Sequence, residues 1–234
     1  MTDSNFQWVI GADLRRSWAM ERLESVNATG DSLIEEGYIT YNELMYSQAW
    51  CIVAQSLLAA SPEGGNPIDE SAWKDLAEEK LVQAREAAGE RGSIEKLDSA
   101  ERSFDEGRYG AAIYDSVYVI ETSNAEATED INVTELVDED RFSLWGQVYQ
   151  SHAAFLLAQN QTDAAYSTAM YALGLEEATA DMADAMAPAA EEEESVAQGQ
   201  IDIALMGIVI GCVSFLLIVL HLLMVRRRHG NKRP

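Results

Sequence analysis

The sequence has 234 residues, and 40 acidic against 16 basic side chains give it a formal net charge of -24. That length provides one medium-sized domain with an apolar core and excludes a second large one. The acidic balance argues against nucleic-acid binding, because an acidic surface repels the phosphate backbone.

Apolar side chains recur at spacings of three and four along residues 1–183, which predicts an all-α domain. Glycine, proline and capping residues divide this region into separate helices. The predicted helices cover about residues 13–27, 32–36, 40–60, 71–88, 93–106, 109–124, 139–159 and 162–183. Residues 61–67 contain two prolines and two glycines and are predicted to form a loop, whereas residues 125–137 are predicted to be an acidic connector.

Individual residues refine this assignment. Ser71 is expected to cap the helix that follows it, and Phe142 is expected to lie on an apolar helix face. Cys51 lies in an apolar helix and Cys212 in an apolar segment near the C-terminus. Both cysteines are therefore expected to be small buried side chains and not a disulfide.

Two pairs of predicted helices share a turn pattern. One helix ends at Gly107 and another at Asn160, and in both cases a helix with small residues begins within a few positions. Small side chains let consecutive helices pack closely, so both pairs are predicted to be antiparallel hairpins. Residues 36–38 show a weaker form of the same turn pattern and are a third predicted turn. The predicted fold is an irregular bundle of antiparallel helical hairpins, tetratricopeptide-like in places, with a regular repeat array as the alternative.

A stripe of aromatic residues lies in the second region of the domain. Its members, spaced by three to five residues, are Tyr38, Tyr41, Tyr46 and Trp50. Core packing is the usual meaning of such a stripe. The sharper alternative is a groove that binds a partner peptide, because amphipathic aromatic side chains suit the binding surfaces of helical hairpins.

The sequence contains no recognisable catalytic motif. It has no nucleophile–base pair, zinc-ligand set or phosphate-binding glycine motif. His152 is the one histidine before residue 203 and lies on an apolar helix, where a structural role is expected. We therefore predict a protein that is not an enzyme, with no catalytic residue, no cofactor and no metal site.

The C-terminal region is predicted to reach a membrane. Residues 184–202 are acidic and lack aromatic side chains, which predicts a flexible tether. Residues 203–225 contain no charged side chain except the titratable His221, and as a helix they extend roughly 34 Å, which predicts one transmembrane helix and not a buried core helix. Residues 226–234 are basic, so the positive-inside rule places the C-terminus in the cytoplasm and the helical domain outside the cell membrane.

Short motifs bear on assembly and modification. Gly207 and Gly211 form a GxxxG pair, which would let two copies of the membrane helix pack as a homodimer. Asn27, Asn132 and Asn160 each begin an N-x-[ST] sequon, so they are candidate glycosylation sites of an extracytoplasmic domain.

Residues 1–20 lack the apolar stretch of a secretory signal. Two expectations follow from this. Either the chain is the downstream part of a longer precursor, or it is a tail-anchored protein whose helical domain faces the cytoplasm.

The chain combines an acidic helical bundle, an acidic tether, one anchor and a short Arg-rich tail. Within the bundle are the segments YNELMYSQAW (residues 41–50) and FDEGRYGAAIYDSVYVI (residues 104–120). This order of features resembles the C-terminal half of archaeal membrane-anchored Lon-like serine proteases. In that family a protease domain with a Ser–Lys dyad precedes the bundle, and nothing in this sequence matches that domain. The resemblance implies a bundle that positions substrates or partners near the membrane, and it carries over no catalytic residue.

Together these features predict a membrane-tethered, non-catalytic binding or scaffold module that engages a protein partner at the cell surface. The first alternative is an accessory or C-terminal part of a membrane-anchored Lon-like serine protease. The second is a structural protein of the cell envelope.

Overall fold

The chain is built from helices. The computed structural model describes residues 1–28, 36–88, 94–127 and 132–186, and within these ranges it contains no β-sheet, so the predicted all-α fold is confirmed. The elements are α1 (Phe6–Ala28), α2 (Glu36–Ala60), a 3₁₀ turn (Glu70–Trp73), α3 (Lys74–Ala88), α4 (Ile94–Asp105), α5 (Tyr109–Ala127), α6 (Val133–Asp138), α7 (Leu144–Ala158) and α8 (Thr162–Met186).

The turns at Gly107 and Asn160 lie where the sequence predicts them. Both residues have a positive φ, 75° and 57°, which glycine adopts freely and asparagine tolerates better than most residues. These turns join α4 to α5 and α7 to α8, and the helices of each pair pack against each other. The third turn predicted at residues 36–38 is wrong, because α2 begins at Glu36 and continues through that segment.

Helices α1 and α2 also run antiparallel. Trp18 of α1 meets Trp50 of α2 with ring centroids 5.0 Å apart, and further along the pair Arg22 binds Glu43 at 3.1 Å. The residue number rises along α1 as it falls along α2, which is the register of an antiparallel hairpin. The residues between the two helices, 29–35, lie outside the described ranges, as does most of the short helix predicted at 32–36.

Helix α5 lies at the centre of the bundle, because α3, α4 and α8 all pack against it. Side chains on several sides of α5 are completely buried: Ala112, Ile113, Ser116 and Val119. At Gly174 of α8, an added Cβ would lie 2.7 Å from Val117 Cγ1. A glycine at this position therefore lets the two helices approach closely.

Two tryptophans connect the ends of the chain's helical region. Trp73 is fully buried, its ring packs on Phe6 with centroids 5.7 Å apart, and its indole N–H donates to the Met182 carbonyl at 3.0 Å. Trp145 donates its indole N–H to the Gln7 carbonyl at 2.7 Å. Both bonds satisfy a buried donor, and together they hold the start of α1 against α7 and the end of α8.

The structure corrects several predicted helix ends. Helix α1 begins at Phe6, earlier than predicted, and α6 occupies part of the predicted connector. Ser71 is not the N-cap of the helix that contains it. Asp69 is, since its carboxylate accepts from the Ser71 backbone N–H at 3.0 Å.

The start of α7 differs in the same way. Ser143 caps this helix by accepting from the Gly146 N–H at 3.0 Å, so residues 139–143 are not helical. Phe142 precedes the cap and is 78% exposed, which contradicts the predicted apolar contact. The Glu176 carboxylate of α8 accepts from the Phe142 and Ser143 backbone N–H groups at 3.0 and 2.8 Å, and this contact fixes the segment.

Helix α8 extends slightly further than predicted, because it continues to Met186 beyond residue 183. In the part of the chain that the structure describes, no helix is both long and apolar enough to cross a bilayer. The predicted transmembrane helix at 203–225, the basic tail at 226–234 and the tether beyond Met186 lie outside those residues.

Candidate interaction surface on helix α2

Helix α2 exposes an unusual number of large apolar side chains to solvent. Six of them are between 37% and 55% exposed: Tyr41, Leu44, Met45, Tyr46, Ile52 and Leu58. Among the described helices, α2 packs extensively on α1 alone. Large apolar side chains exposed together on one helix are typical of a site that binds another molecule.

The side of α2 that faces α1 is defined by its buried residues. Ala54 and Leu57 are buried there, and Ser47 Oγ donates to the Ala19 carbonyl at 3.0 Å. The residues on the opposite side of α2 recur every three or four positions along the sequence. We call them the outer face: Tyr41, Leu44, Met45, Gln48, Cys51, Ile52, Gln55 and Leu58. Cys51 is an exposed free thiol, so its predicted burial is wrong.

The outer face carries almost no charge in a strongly acidic protein. From Leu44 to Pro62 the sequence contains no Asp, Glu, Lys, Arg or His, although charged residues make up 24% of the chain. The nearest carboxylate on α2, that of Glu43, binds Arg22 of α1. The polar groups of the outer face are therefore uncharged: the amides of Gln48 and Gln55, the Tyr41 hydroxyl and the Cys51 thiol.

The structure separates the residues of the predicted aromatic groove. Tyr41 lies on the outer face and Tyr46 is also exposed, so neither is a core residue. Trp50 instead packs edge-on against Trp18 at 5.0 Å, towards α1. Tyr38 lies in the first turn of α2, and its side chain is outside the described residues. The interaction surface thus shares Tyr41 with the predicted groove and replaces Trp50 with aliphatic residues.

The remaining predicted sites have separate environments. Asn27 lies in the last turn of α1. Asn132 caps α6, since its side chain accepts from the Glu135 N–H at 3.4 Å, and Asn160 is exposed in the α7–α8 turn. Gly207 and Gly211 lie outside the described residues.

A buried arginine was not anticipated by sequence reasoning. Arg15 of α1 is only 7% exposed, and its guanidinium lies 4.0 Å from the centroid of Trp145 and 4.8 Å from that of Trp18. It donates to the Gly11 carbonyl at 3.3 Å and to the Tyr149 hydroxyl at 3.4 Å, and its Nε has no hydrogen-bond partner. Stacking between two indoles compensates part of the cost of burying this cation, so Arg15 connects α1 with α7.

A second buried polar group lies between α4 and α5. Asp115 is 1% exposed, accepts from Ser99 Oγ at 2.7 Å and lies 3.8 Å from Lys96 Nζ. Loss of solvent raises the pKa of this carboxyl, and the Lys96 charge opposes the rise. Lys96 also lies 4.4 Å from the centroid of Trp18, so the group links α4 and α5 to α1.

Both buried groups hold helices of the bundle together. The Ser99 hydroxyl of α4 donates to the Asp115 carboxylate of α5. In the described ranges, no group of three or more His, Cys, Asp or Glu side chains is arranged to hold a metal ion.

Comparison with protein-family models, with curated proteins and with solved structures finds no match to this chain.

Proposed function

We propose that this chain is a membrane-tethered, non-catalytic interaction module and that the outer face of α2 is its docking surface for an α-helix of a protein partner. The observation that carries the proposal is the exposure of Tyr41, Leu44, Ile52 and other large apolar residues on a helix that packs on one described neighbour. Burying a fully exposed side chain of this kind is worth about 1.5–3 kcal/mol, and these side chains are about half exposed, so each would stabilise a complex by roughly half as much.

The spacing of the outer face supports a helical partner. Its residues follow one another at three and four positions, so they form a straight seam along α2. A second amphipathic helix fits such a seam by placing its own apolar positions between those of α2. The absence of charge along Leu44 to Pro62 means that docking removes no ionised side chain of α2 from water.

The membrane part of the proposal rests on residues 203–225 and on the basic residues that follow them. In this arrangement the anchor holds the helical domain outside the cell membrane, with the C-terminus in the cytoplasm. Confining a docking surface to a membrane raises its effective concentration toward partners in the same membrane. A GxxxG contact through Gly207 and Gly211 would add to this effect.

A site-specific crosslink tests the docking surface. A photoreactive amino acid placed at Gln48 of the full-length chain should give one defined protein adduct on irradiation of intact cells, identified by mass spectrometry. The matched control is the same group at Gln83, an exposed glutamine on α3. No adduct at position 48, or equal adducts at both positions, would contradict the proposal.

Extraction and protease protection test the anchor and its orientation. The full-length chain should stay with the membrane pellet after alkaline carbonate treatment. Protease added to intact cells or spheroplasts should degrade the helical domain and spare a tag placed after Pro234. A chain that remains in the supernatant contradicts the anchor, and a domain protected in intact spheroplasts contradicts the orientation.

The alternative function is that of an accessory or C-terminal part of a membrane-anchored Lon-like serine protease. It is favoured by the order of a helical bundle, an acidic tether, an apolar segment and an Arg-rich tail. An adjacent reading frame that encodes a signal and a protease domain, together with co-purification of the two products, would support it. Purification of the chain without any protease subunit from its native membrane would contradict it.

A further inference from the structure

We infer that the partner helix on the outer face of α2 is α2 of a second copy of this chain, packed antiparallel about a two-fold axis between Cys51 and Ile52. The inference rests on the proposed function, because it names the occupant of the same surface. The charge, the residue spacing and the side-chain size along α2 favour this occupant.

The charge pattern favours a neutral partner surface. The chain as a whole carries a net charge of -24, so two copies repel each other wherever their acidic surfaces meet. The outer face between Leu44 and Pro62 is the longest charge-free part of the described helices, and Glu43 beside it is already paired with Arg22. A basic partner would find no free carboxylate on this face, whereas a second α2 presents the same uncharged surface.

The spacing of the outer face suits a pair of helices. Its positions repeat at alternate steps of three and four, as in a coiled-coil seam: Tyr41, Leu44, Gln48, Cys51, Gln55 and Leu58. With the axis between Cys51 and Ile52, Gln48 faces Gln55 of the second copy. Each amide carries both a donor and an acceptor, so the two glutamines satisfy each other when water is excluded.

Side-chain size at Leu44 favours the antiparallel direction. With the axis between Cys51 and Ile52, Leu44 faces Ala59 of the second copy and Met45 faces Leu58. A parallel pair in register would instead place Leu44 against Leu44. The antiparallel pair therefore sets this large residue against a small one.

The outer face is long enough for a helix pair. It extends along most of a helix of 25 residues, which is about 37 Å long. Tyr46 of α2 and the exposed Met20 and Leu23 of α1 are further apolar side chains on the same hairpin.

Cysteine crosslinking of the full-length chain in its native membrane tests the axis. Cys212 is first replaced by serine, which leaves Cys51 as the one cysteine. A short bis-maleimide should then convert most of the chain to a covalent dimer. The control carries Cys51→Ser and Gln83→Cys, so that its one thiol lies on the exposed side of α3, and it should remain almost entirely monomeric. Equal crosslinking of both variants would reveal random collision and overturn the inference.

A second pair of variants tests the direction. In a chain that carries both Cys51→Ser and Cys212→Ser, Leu44→Cys should not crosslink to itself, because the two copies of this position lie about 22 Å apart along an antiparallel pair. Leu44→Cys combined with Ala59→Cys should crosslink efficiently, since these positions face each other. Efficient crosslinking of Leu44→Cys alone would demonstrate a parallel pair and overturn the antiparallel arrangement.

A charge at the axis gives an independent measurement. Ile52→Glu places two carboxylates opposite each other and should weaken dimerisation about tenfold or more in analytical ultracentrifugation with detergent. Ser151→Glu on the exposed side of α7 should leave it unchanged. An unchanged dimer in the Ile52→Glu chain would overturn the inference.

The outcomes separate this inference from the proposed function. An adduct between position 48 and a different protein, with Cys51 left uncrosslinked, keeps the docking function and rejects the second copy. No adduct and no dimer reject both. A monomer in which Cys51 reacts slowly with a soluble maleimide shows that a segment of its own chain covers the face, which also rejects both.

Discussion

Helices α2 and α5 have similar apolar compositions and opposite positions in the molecule. Each carries apolar side chains on several sides and few charges. Helix α5 is surrounded by α3, α4 and α8, whereas α2 packs on α1 and leaves its outer face in solvent. A helix that is apolar on all sides is stable in water only when neighbours cover it. The bundle itself supplies those neighbours for α5, and the exposed face of α2 is where a partner is needed.

Burial, and not side-chain size, separates the two helices. Helix α5 buries small residues such as Ala112 and Ser116 together with large ones such as Ile113 and Tyr114. On the outer face of α2, Tyr41, Met45 and Ile52 are exposed. The neighbours of a helix therefore decide which of its large side chains are covered.

The largest expected difference in stability is between two isoleucine variants, one in α5 and one in α2. Ile113 of α5 is fully buried and Ile52 of α2 is half exposed. Ile113→Ala should lower the free energy of unfolding by about 2–5 kcal/mol, because it removes buried methyl groups and leaves a cavity. Ile52→Ala should change it by less than about 0.5 kcal/mol in dilute, monomeric protein. Urea unfolding of the full-length chain in detergent, followed by tryptophan fluorescence, measures both.

The stability of the same two isoleucine variants should depend differently on protein concentration. If a second copy covers the outer face, the cost of Ile52→Ala grows with concentration, because binding stabilises the folded state by mass action. The cost of Ile113→Ala should remain constant. A large cost of Ile52→Ala at every concentration would show that α2 is covered within one chain, and the contrast between α2 and α5 would be lost.

The sequence predicts where α2 and α5 lie along the chain more closely than which sides they bury. Spacing of apolar residues identifies both helices, and Gly107 marks the start of the α4–α5 turn. The spacing of apolar residues cannot identify the buried side of a helix that carries apolar side chains on all its sides. Leu44 and Leu58 belong to the apolar pattern of α2 and are nevertheless exposed. The neighbours of each helix are set by tertiary packing, which a single sequence does not encode locally.

Local chemistry explains the other differences. Asp69 and Ser71 are both good N-cap residues, and only the backbone geometry shows that the Asp69 carboxylate receives the bond. The burial of Arg15 is equally hidden, because its stability depends on Trp145, which lies far along the chain. Long-range contacts of this kind leave no signal in the spacing of nearby residues.

A second pair of variants tests α1, the helix that contacts both α2 and α5. Arg15→Lys should lower the free energy of unfolding by about 1–3 kcal/mol, because an ammonium cannot stack between Trp18 and Trp145 as the planar guanidinium does. The adjacent Arg16 is exposed and binds Asp13 at 2.8 Å. Arg16→Lys should change stability by less than about 0.5 kcal/mol. Thermal unfolding monitored by near-ultraviolet circular dichroism measures both, and equal effects would contradict the stacking role.

Two serines of α2 test which side of the helix faces inward. Ser47 is buried and bonds across to α1, whereas Ser56 is exposed and bonds to the Ile52 carbonyl of its own helix. Ser47→Ala should cost about 0.5–1.5 kcal/mol, the net value of one hydrogen bond. Ser56→Ala should be neutral or slightly stabilising, since alanine favours helix. The reverse order in urea unfolding would mean that the outer face has been assigned to the wrong side of α2.

The smallest expected change in the free energy of unfolding is that of an Asp115 variant in α5, and this change depends on pH. Burial raises the pKa of the Asp115 carboxyl above 3.8, so the folded protein holds this proton more tightly than the unfolded chain. That contribution to stability is complete below about pH 3.8 and is lost as the pH rises through the raised pKa. Asp115→Asn keeps the shape and removes the titration, so its stability relative to the wild type should be lowest near pH 4 and should increase towards pH 8. Urea unfolding across this range measures the difference, and a constant or falling difference would show that Lys96 and Ser99 fully stabilise the buried charge.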